Sequence, residues 1–140
     1  MEFKGDRAIY LQIAEHVMEN ILAGKWREND RIPSVRDMAM SLEVNPNTVV
    51  HSYNYMQDKG IIQNRRGVGY FVAGEAVEKV RGLEKEDFFQ EQLPRVFKRM
   101  LLLGIGVDEI RSRFDAYEQE VARETAKEAE EKAGGAEGEA

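Results

Sequence analysis

Residues 34–60 read SVRDMAMSLEVNPNTVVHSYNYMQDKG, and this stretch decides the fold. Two apolar stripes lie within it at the same spacing. The first is Val35, Met38, Ala39 and Leu42; the second is Val49, Ser52, Tyr53 and Met56. Each marks one buried helix face. Ser34 opens the first helix, with Asp37 three residues on, a capping box in which Asp replaces the usual Glu. That helix spans only about two turns. Glu43 and Val44 form a tight connection. Asn45 and Pro46 then begin a second helix, since Asn is a favoured N-cap and Pro a favoured first helical residue. Gly60 ends it. A short helix, a brief turn and a well-capped helix make a helix-turn-helix.

On the N-terminal side, Tyr10, Ile13, Ala14, Val17, Met18 and Ile21 recur at helical spacing, and Gly24 supplies a stop. Trp26 follows as an apolar plug over the small core. Residues 30–33 read as a short extended segment. On the C-terminal side, residues 61–64 and 70–72 read as two short strands. Between them lies Arg65-Arg66-Gly67-Val68-Gly69, whose glycines permit a tight reversal. Helix, short helix, helix and hairpin in that order predict a winged helix-turn-helix over residues 1–74. Its helix-turn-helix covers about 34–60 and its wing 61–73.

Beyond Gly74 the pattern is helical. Phe89, Leu93, Val96, Phe97 and Met100 form one stripe, interrupted by Pro94, where a kink or a restart is expected. Gly104 and Gly106 bracket a turn. Val107, Ile110, Phe114, Tyr117 and Val121 then recur at alternating spacings of three and four, a short coiled-coil-like seam. Two apolar helices with no further partner in the chain cannot bury their faces alone, so pairing with a second copy is expected. The fold class is therefore mainly α with a small β-hairpin: a winged helix-turn-helix N-terminal domain plus a short C-terminal helical dimerisation module over 75–132. Residues 133–140, with nothing to bury, are expected to be a disordered tail.

Composition narrows the chemistry. The chain of 140 residues contains no cysteine and two histidines, His16 and His51, which argues against disulfides, Cys-based zinc sites and multi-His metal centres. No apolar run reaches the roughly 18 residues of a membrane span, and no signal peptide opens the chain, so no membrane partner and a cytoplasmic location are expected. No nucleophile–base pair, phosphate-cradling loop or metal cluster stands out, so neither an enzyme nor a cofactor is expected. The net charge of −6 argues at face value against a nucleic-acid binder. It is unevenly distributed, however. Residues 1–74 carry nine basic and nine acidic side chains, and residues 75–140 carry 11 basic and 17 acidic. The whole excess lies in the half expected to pair with itself.

Taken together, IYLQIAEHVMENILAGKW, RIPSVRDMAMSLEVNPNTVVHSY and GIIQNRRGVGYFV resemble the DNA-binding domain of GntR-family transcription regulators, over about residues 9–72. The short helical remainder resembles the YtrA-type subfamily, whose members carry only a small dimerisation module. The resemblance implies a sequence-specific regulator, a repressor, binding a double-stranded operator of inverted half-sites as a homodimer. It leaves room for an unknown small-molecule effector acting near Gly74 or in the helical module.

The resemblance also implies where DNA is met. Arg36 lies in the first turn of the short helix, Asn47 and Thr48 at the start of the recognition helix, and Arg66 and Gly67 at the wing tip. A helix N-terminus can offer free N–H groups to a phosphate, but Asn45 as the cap of the recognition helix would occupy some of those donors, so its role is chiefly structural. Asn suits adenine, and Thr offers a hydroxyl and a methyl. Arg65 adds to the electrostatic anchors. His51, one turn on, reaches either DNA or solvent. Lys4 and Arg7 are further candidates for phosphate contact. Some relatives carry basic residues at the positions of Pro46 and Val50. Here no lysine or arginine lies between Asn45 and Asp58, which argues against guanine reading by this helix. The candidate dimer contacts are Phe89, Leu93, Val96, Phe97, Met100, Ile110, Phe114 and Tyr117. The competing reading is a winged-helix protein-interaction module that does not bind DNA.

Overall fold

A computed structural model describes residues 2, 3 and 5–137. Six α-helices and one hairpin follow in the order α1 (Ile9–Leu22), α2 (Val35–Leu42), α3 (Pro46–Asp58), β1 (Ile62–Arg65), β2 (Gly69–Val72), α4 (Ala76–Asp87), α5 (Leu93–Leu103) and α6 (Val107–Glu137). A π-helical turn, Phe88–Gln92, lies between α4 and α5.

The local signals read from the sequence act as expected. Ser34 Oγ accepts the Asp37 N–H at 3.1 Å at the start of α2. Asn45 Oδ1 accepts the Asn47 N–H at 2.9 Å at the start of α3, with Pro46 as its first residue. The predicted stripes are the buried ones: Met38, Ala39 and Leu42 on α2, and Val49, Ser52, Tyr53 and Met56 on α3. With Ile13, Ala14, Val17, Met18 and Ile21 of α1 they form one core, onto which Trp26 packs. Between α2 and α3, Glu43 adopts a left-handed conformation at φ 56°, a position glycine usually fills.

The hairpin pairs Ile62 with Val72 and Arg65 with Gly69. The extended segment before α2 adds a third strand-like edge. Asn29 N–H donates to the Val72 carbonyl, Val72 N–H to that of Asp30, and Ile32 N–H to that of Tyr70, at 2.9–3.0 Å. The wing therefore has a three-stranded base.

The chain divides into two units, one running to Phe89 and one starting at Gln90. The first of these compact units thus runs past the boundary expected at Gly74. Ala76 and Val80 of α4 are buried in the N-terminal core, so burial of their apolar surface holds α4 there. A Cβ at Gly74 would come 3.0 Å from Glu28 Oε1. The interruption expected at Pro94 takes the form of a π-helical turn within a continuous run of helix. Phe88 and Gln92 keep right-handed helical dihedrals, and Pro94, the second residue of α5, follows directly on the turn where the regular bonding pattern is already altered.

In the second unit, Gly104 caps α5 at φ 69°, with the Ile105 N–H returning to the Met100 carbonyl at 2.9 Å. Residues 133–137, expected to be disordered, continue α6. Gly134 and Gly135 are poor helix formers, but an existing helix elongates more easily than a new one nucleates. Residues 138–140 lie outside the described residues. No helix among the described residues is long and apolar enough to cross a membrane.

Candidate nucleic-acid interface

Three elements of the first unit carry the residues singled out from the sequence: the first turn of α2, the outer face of α3 and the tip of the hairpin. Arg36 on α2 is exposed. On α3 the buried residues face one way, and Asn47, Val50, His51, Asn54 and Asp58 lie on the exposed side. The side-chain amides of Asn47 and Asn54 make no hydrogen bond among the described residues. Both remain available for an external donor–acceptor pair.

At the start of α3 the backbone donors are already engaged. A helix N-terminus can grip phosphate only through N–H groups that are free. Pro46 has none, the Asn47 N–H is taken by the Asn45 cap, and the Thr48 N–H donates to the Asn45 carbonyl at 2.9 Å. Asn45 is thus occupied in holding the helix. Any grip on the phosphate backbone at this end falls to side chains. Thr48 is half-buried.

His51 has a third placement, which neither reading of the sequence included. Its ring stacks on Tyr10 of α1, with centroids 3.6 Å apart and planes at 15°. Tyr10 also meets Tyr55 edge-on at 6.1 Å. His51 therefore ties α3 to α1. Arg7 is likewise engaged, with Glu15 at 2.6 Å and Asp87 at 3.8 Å. Two carboxylates already compensate its charge, so it has little left for a phosphate. Lys4 lies outside the described residues.

The wing separates two adjacent arginines into different roles. Val68 N–H donates to the Arg65 carbonyl at 2.8 Å, closing a turn with Gly67 at φ 78°, the position where a type II turn needs positive φ. Arg66 and Gly67 stand exposed at the tip. Arg65 turns back. Its guanidinium lies 4.1 Å over the Phe71 ring and donates to Asn29 Oδ1 at 3.2 Å. It thereby spans the three-stranded base from β1 across β2 to the segment before α2. Arg31 lies against Gly69 of β2: a Cβ on that glycine would sit 2.9 Å from its Nε. The sequence reading missed Arg31. Its only local cue was a cation in an extended segment, and nothing nearby in the chain showed that this segment joins the wing.

The arrangement leaves Arg36 and Arg66 as exposed cations on the elements that flank α3, and neither makes an ion pair among the described residues. No group of three or more His, Cys, Asp or Glu side chains is placed to hold a metal ion among the described residues. The site offers amides, a hydroxyl and guanidinium groups on projecting elements, which suits hydrogen bonding and charge pairing with a polyanion.

In the second unit, Val96, Phe97, Ile110, Phe114 and Tyr117 are exposed on α5 and α6, and Leu93 is half-buried. Phe89, at the end of the first unit, is exposed and meets Phe88 edge-on at 5.6 Å. Met100, on the same stripe of α5, is buried within the single chain.

Comparison with known proteins matches residues 9–72 to the profile described as bacterial regulatory proteins of the gntR family. The chain is 38% identical to the uncharacterized HTH-type transcriptional regulator YhcF of Bacillus subtilis, over 78% of this chain and 88% of that protein. It is 32% identical to the HTH-type transcriptional repressor YtrA of the same organism, over 73% of this chain and 78% of that protein. Among solved structures, one described as a GntR-family transcriptional regulator from Bacteroides thetaiotaomicron superposes with a TM-score of 0.67 at 42% identity. That match covers 80% of this chain and 97% of the other.

Proposed function

The chain belongs to the GntR family of regulatory proteins and is a DNA-binding transcription regulator, and from that premise we propose that it is a cytoplasmic repressor that binds an inverted-repeat operator as a homodimer. Asn47 contributes base contact from α3, and Thr48 supports it. Arg36 and Arg66 take phosphate or minor-groove contacts on either side. Arg65 and His51 serve mainly to hold the wing and α3 in place. The observation that carries this reading is the division of polar groups within the first unit. Among the candidate DNA-contact residues, Asn45, His51 and Arg65 have intramolecular partners that brace the fold, whereas Arg36, Asn47 and Arg66 offer side chains without a partner among the described residues.

Two further observations support the finer points. The seam of α6 leaves Phe114 and Tyr117 at 61% and 66% exposure, which a second copy of the chain would cover. The relative YtrA is named a repressor, and a bound dimer represses most simply by occluding polymerase.

Selection of bound DNA from a random pool tests the proposal. A two-fold dimer selects two inverted half-sites spaced by about one helical turn. A single asymmetric half-site would overturn the homodimer. Failure to enrich any sequence would favour the protein-interaction reading.

A further inference from the structure

Val50 is an apolar side chain in a polar setting. It is 39% exposed on α3 and takes no place in the core, which is formed from the opposite face by Val49, Ser52, Tyr53 and Met56. Asn47 precedes it by three residues and Asn54 follows by four, so the three side chains form one stripe along the helix. Both flanking amides are unengaged among the described residues. His51, on the other flank, is held by Tyr10 and closes the stripe on the α1 side.

A stripe of amide, branched alkyl and amide has a definite complement in the major groove. An Asn side chain can pair bidentately with the N6 and N7 edge of adenine. The one apolar group on a base edge in that groove is the C5-methyl of thymine. A valine opposite cytosine or a purine would instead face donors and acceptors and leave them without partners, at a cost in affinity. With no lysine or arginine between Asn45 and Asp58, the helix has no bidentate donor for guanine.

Resting on the operator reading above, we propose that Val50 is a specificity-determining residue that packs on a thymine C5-methyl group, with Asn47 and Asn54 reading adenines on either side. Each operator half-site then carries a short A·T segment, with a thymine fixed by Val50. Asn54 becomes a base-reading residue alongside Asn47. This assigns the exposed face of α3 to A·T pairs and leaves phosphate contact to Arg36 and Arg66.

The test uses the full-length protein and the operator obtained by selection. Each thymine of a half-site is replaced in turn by deoxyuridine, which removes only the methyl group. The expected result is one thymine per half-site at which the change weakens wild-type binding about fourfold, the effect of one buried methylene-sized group. Val50→Ala, at an exposed position that leaves the fold intact, should bind more weakly and lose sensitivity to that one substitution. This coupling would not arise from a general loss of affinity. No thymine with a methyl effect, or an equal effect in Val50→Ala, overturns the assignment while leaving the operator reading in place. If the pool enriches no sequence at all, both fall together.

Discussion

The Tyr53 hydroxyl donates a 2.6 Å hydrogen bond to the Pro33 carbonyl, joining residues 20 apart in sequence. Tyr53 is fully buried on α3, and its ring meets that of Tyr70 on β2 edge-on at 4.8 Å. One side chain therefore links the entry to α2, the recognition helix and the wing. Burial, then the neighbouring Tyr70 and Asp37, pushes the phenol well above its ordinary value, so the donor proton is retained at physiological pH. Tyr53→Phe should cost about 1 kcal/mol, the net worth of one such bond. Urea unfolding should show a lower midpoint at unchanged slope. An unchanged midpoint would mean the bond contributes nothing to holding these elements together.

Glu43 holds the turn between α2 and α3 at φ 56°, where a side chain is disfavoured. Glu43→Gly should stabilise the fold by about 1 kcal/mol, and Glu43→Val should destabilise it by a similar amount. Thermal melts of the two variants, moving in opposite directions from wild type, would check this. Movement in the same direction would show that the residue acts through something other than backbone conformation.

Arg66 and Arg65 are adjacent in sequence and differ in what they touch. Arg66→Ala should lower affinity for all DNA sequences and reduce the salt slope by about 1, with melting unchanged. Arg65→Ala removes the contacts to Phe71 and Asn29, so it should also lower stability, by about 0.5–1 kcal/mol. Asn29→Gly, which removes the acceptor without removing a charge and suits the residue's φ of 70°, should reproduce part of the binding defect of Arg65→Ala by loosening the wing. DNA titrations at several salt concentrations separate these effects. A full salt slope in Arg66→Ala would remove that residue from the interface.

Glu84 makes stability pH-dependent. Burial, then the carboxylates of Glu15 and Asp87, hold its carboxyl above the ordinary value, with Arg7 opposing. The folded state therefore binds this proton more tightly than the unfolded state. Stability falls as pH rises from the unfolded value through the folded one, and the penalty is fully present at neutral pH. Glu84→Gln should raise the melting temperature at pH 7. The gain should vanish below about pH 4, where the wild-type carboxyl is itself protonated. A constant gain at all pH values would point to packing instead of ionisation.

Phe114 and Tyr117 lie one turn apart on the exposed seam of α6. The double change Phe114→Glu and Tyr117→Glu should convert a dimer into monomers, read as a halved mass by light scattering. Operator affinity should fall with it, while melting of the first unit stays unchanged. A wild-type protein that already scatters as a single chain would refute the homodimer.

The sequence by itself determined the order and ends of the first unit's elements. Ser34 with Asp37, Asn45 with Pro46, and Gly67 in the wing act on backbone groups within three residues of themselves, so their effect is written in adjacent letters. The buried stripes of α2 and α3 are likewise local, because helical periodicity alone brings their residues onto one face. Tertiary structure decided which polar side chains remained free. In sequence Arg65 and Arg66 look alike, and His51 looks as available as Asn47. The fold brings Phe71 and Asn29 to Arg65, Tyr10 to His51, and Glu15 and Asp87 to Arg7. It also holds α4 on the N-terminal core, so that the first compact unit runs on to Phe89. Backbone preferences act over a few residues, whereas a side chain's partner is whatever packing delivers from across the molecule. The elements of the winged helix-turn-helix were therefore legible in the sequence, and the division between its engaged and unengaged side chains emerged only once the chain was folded.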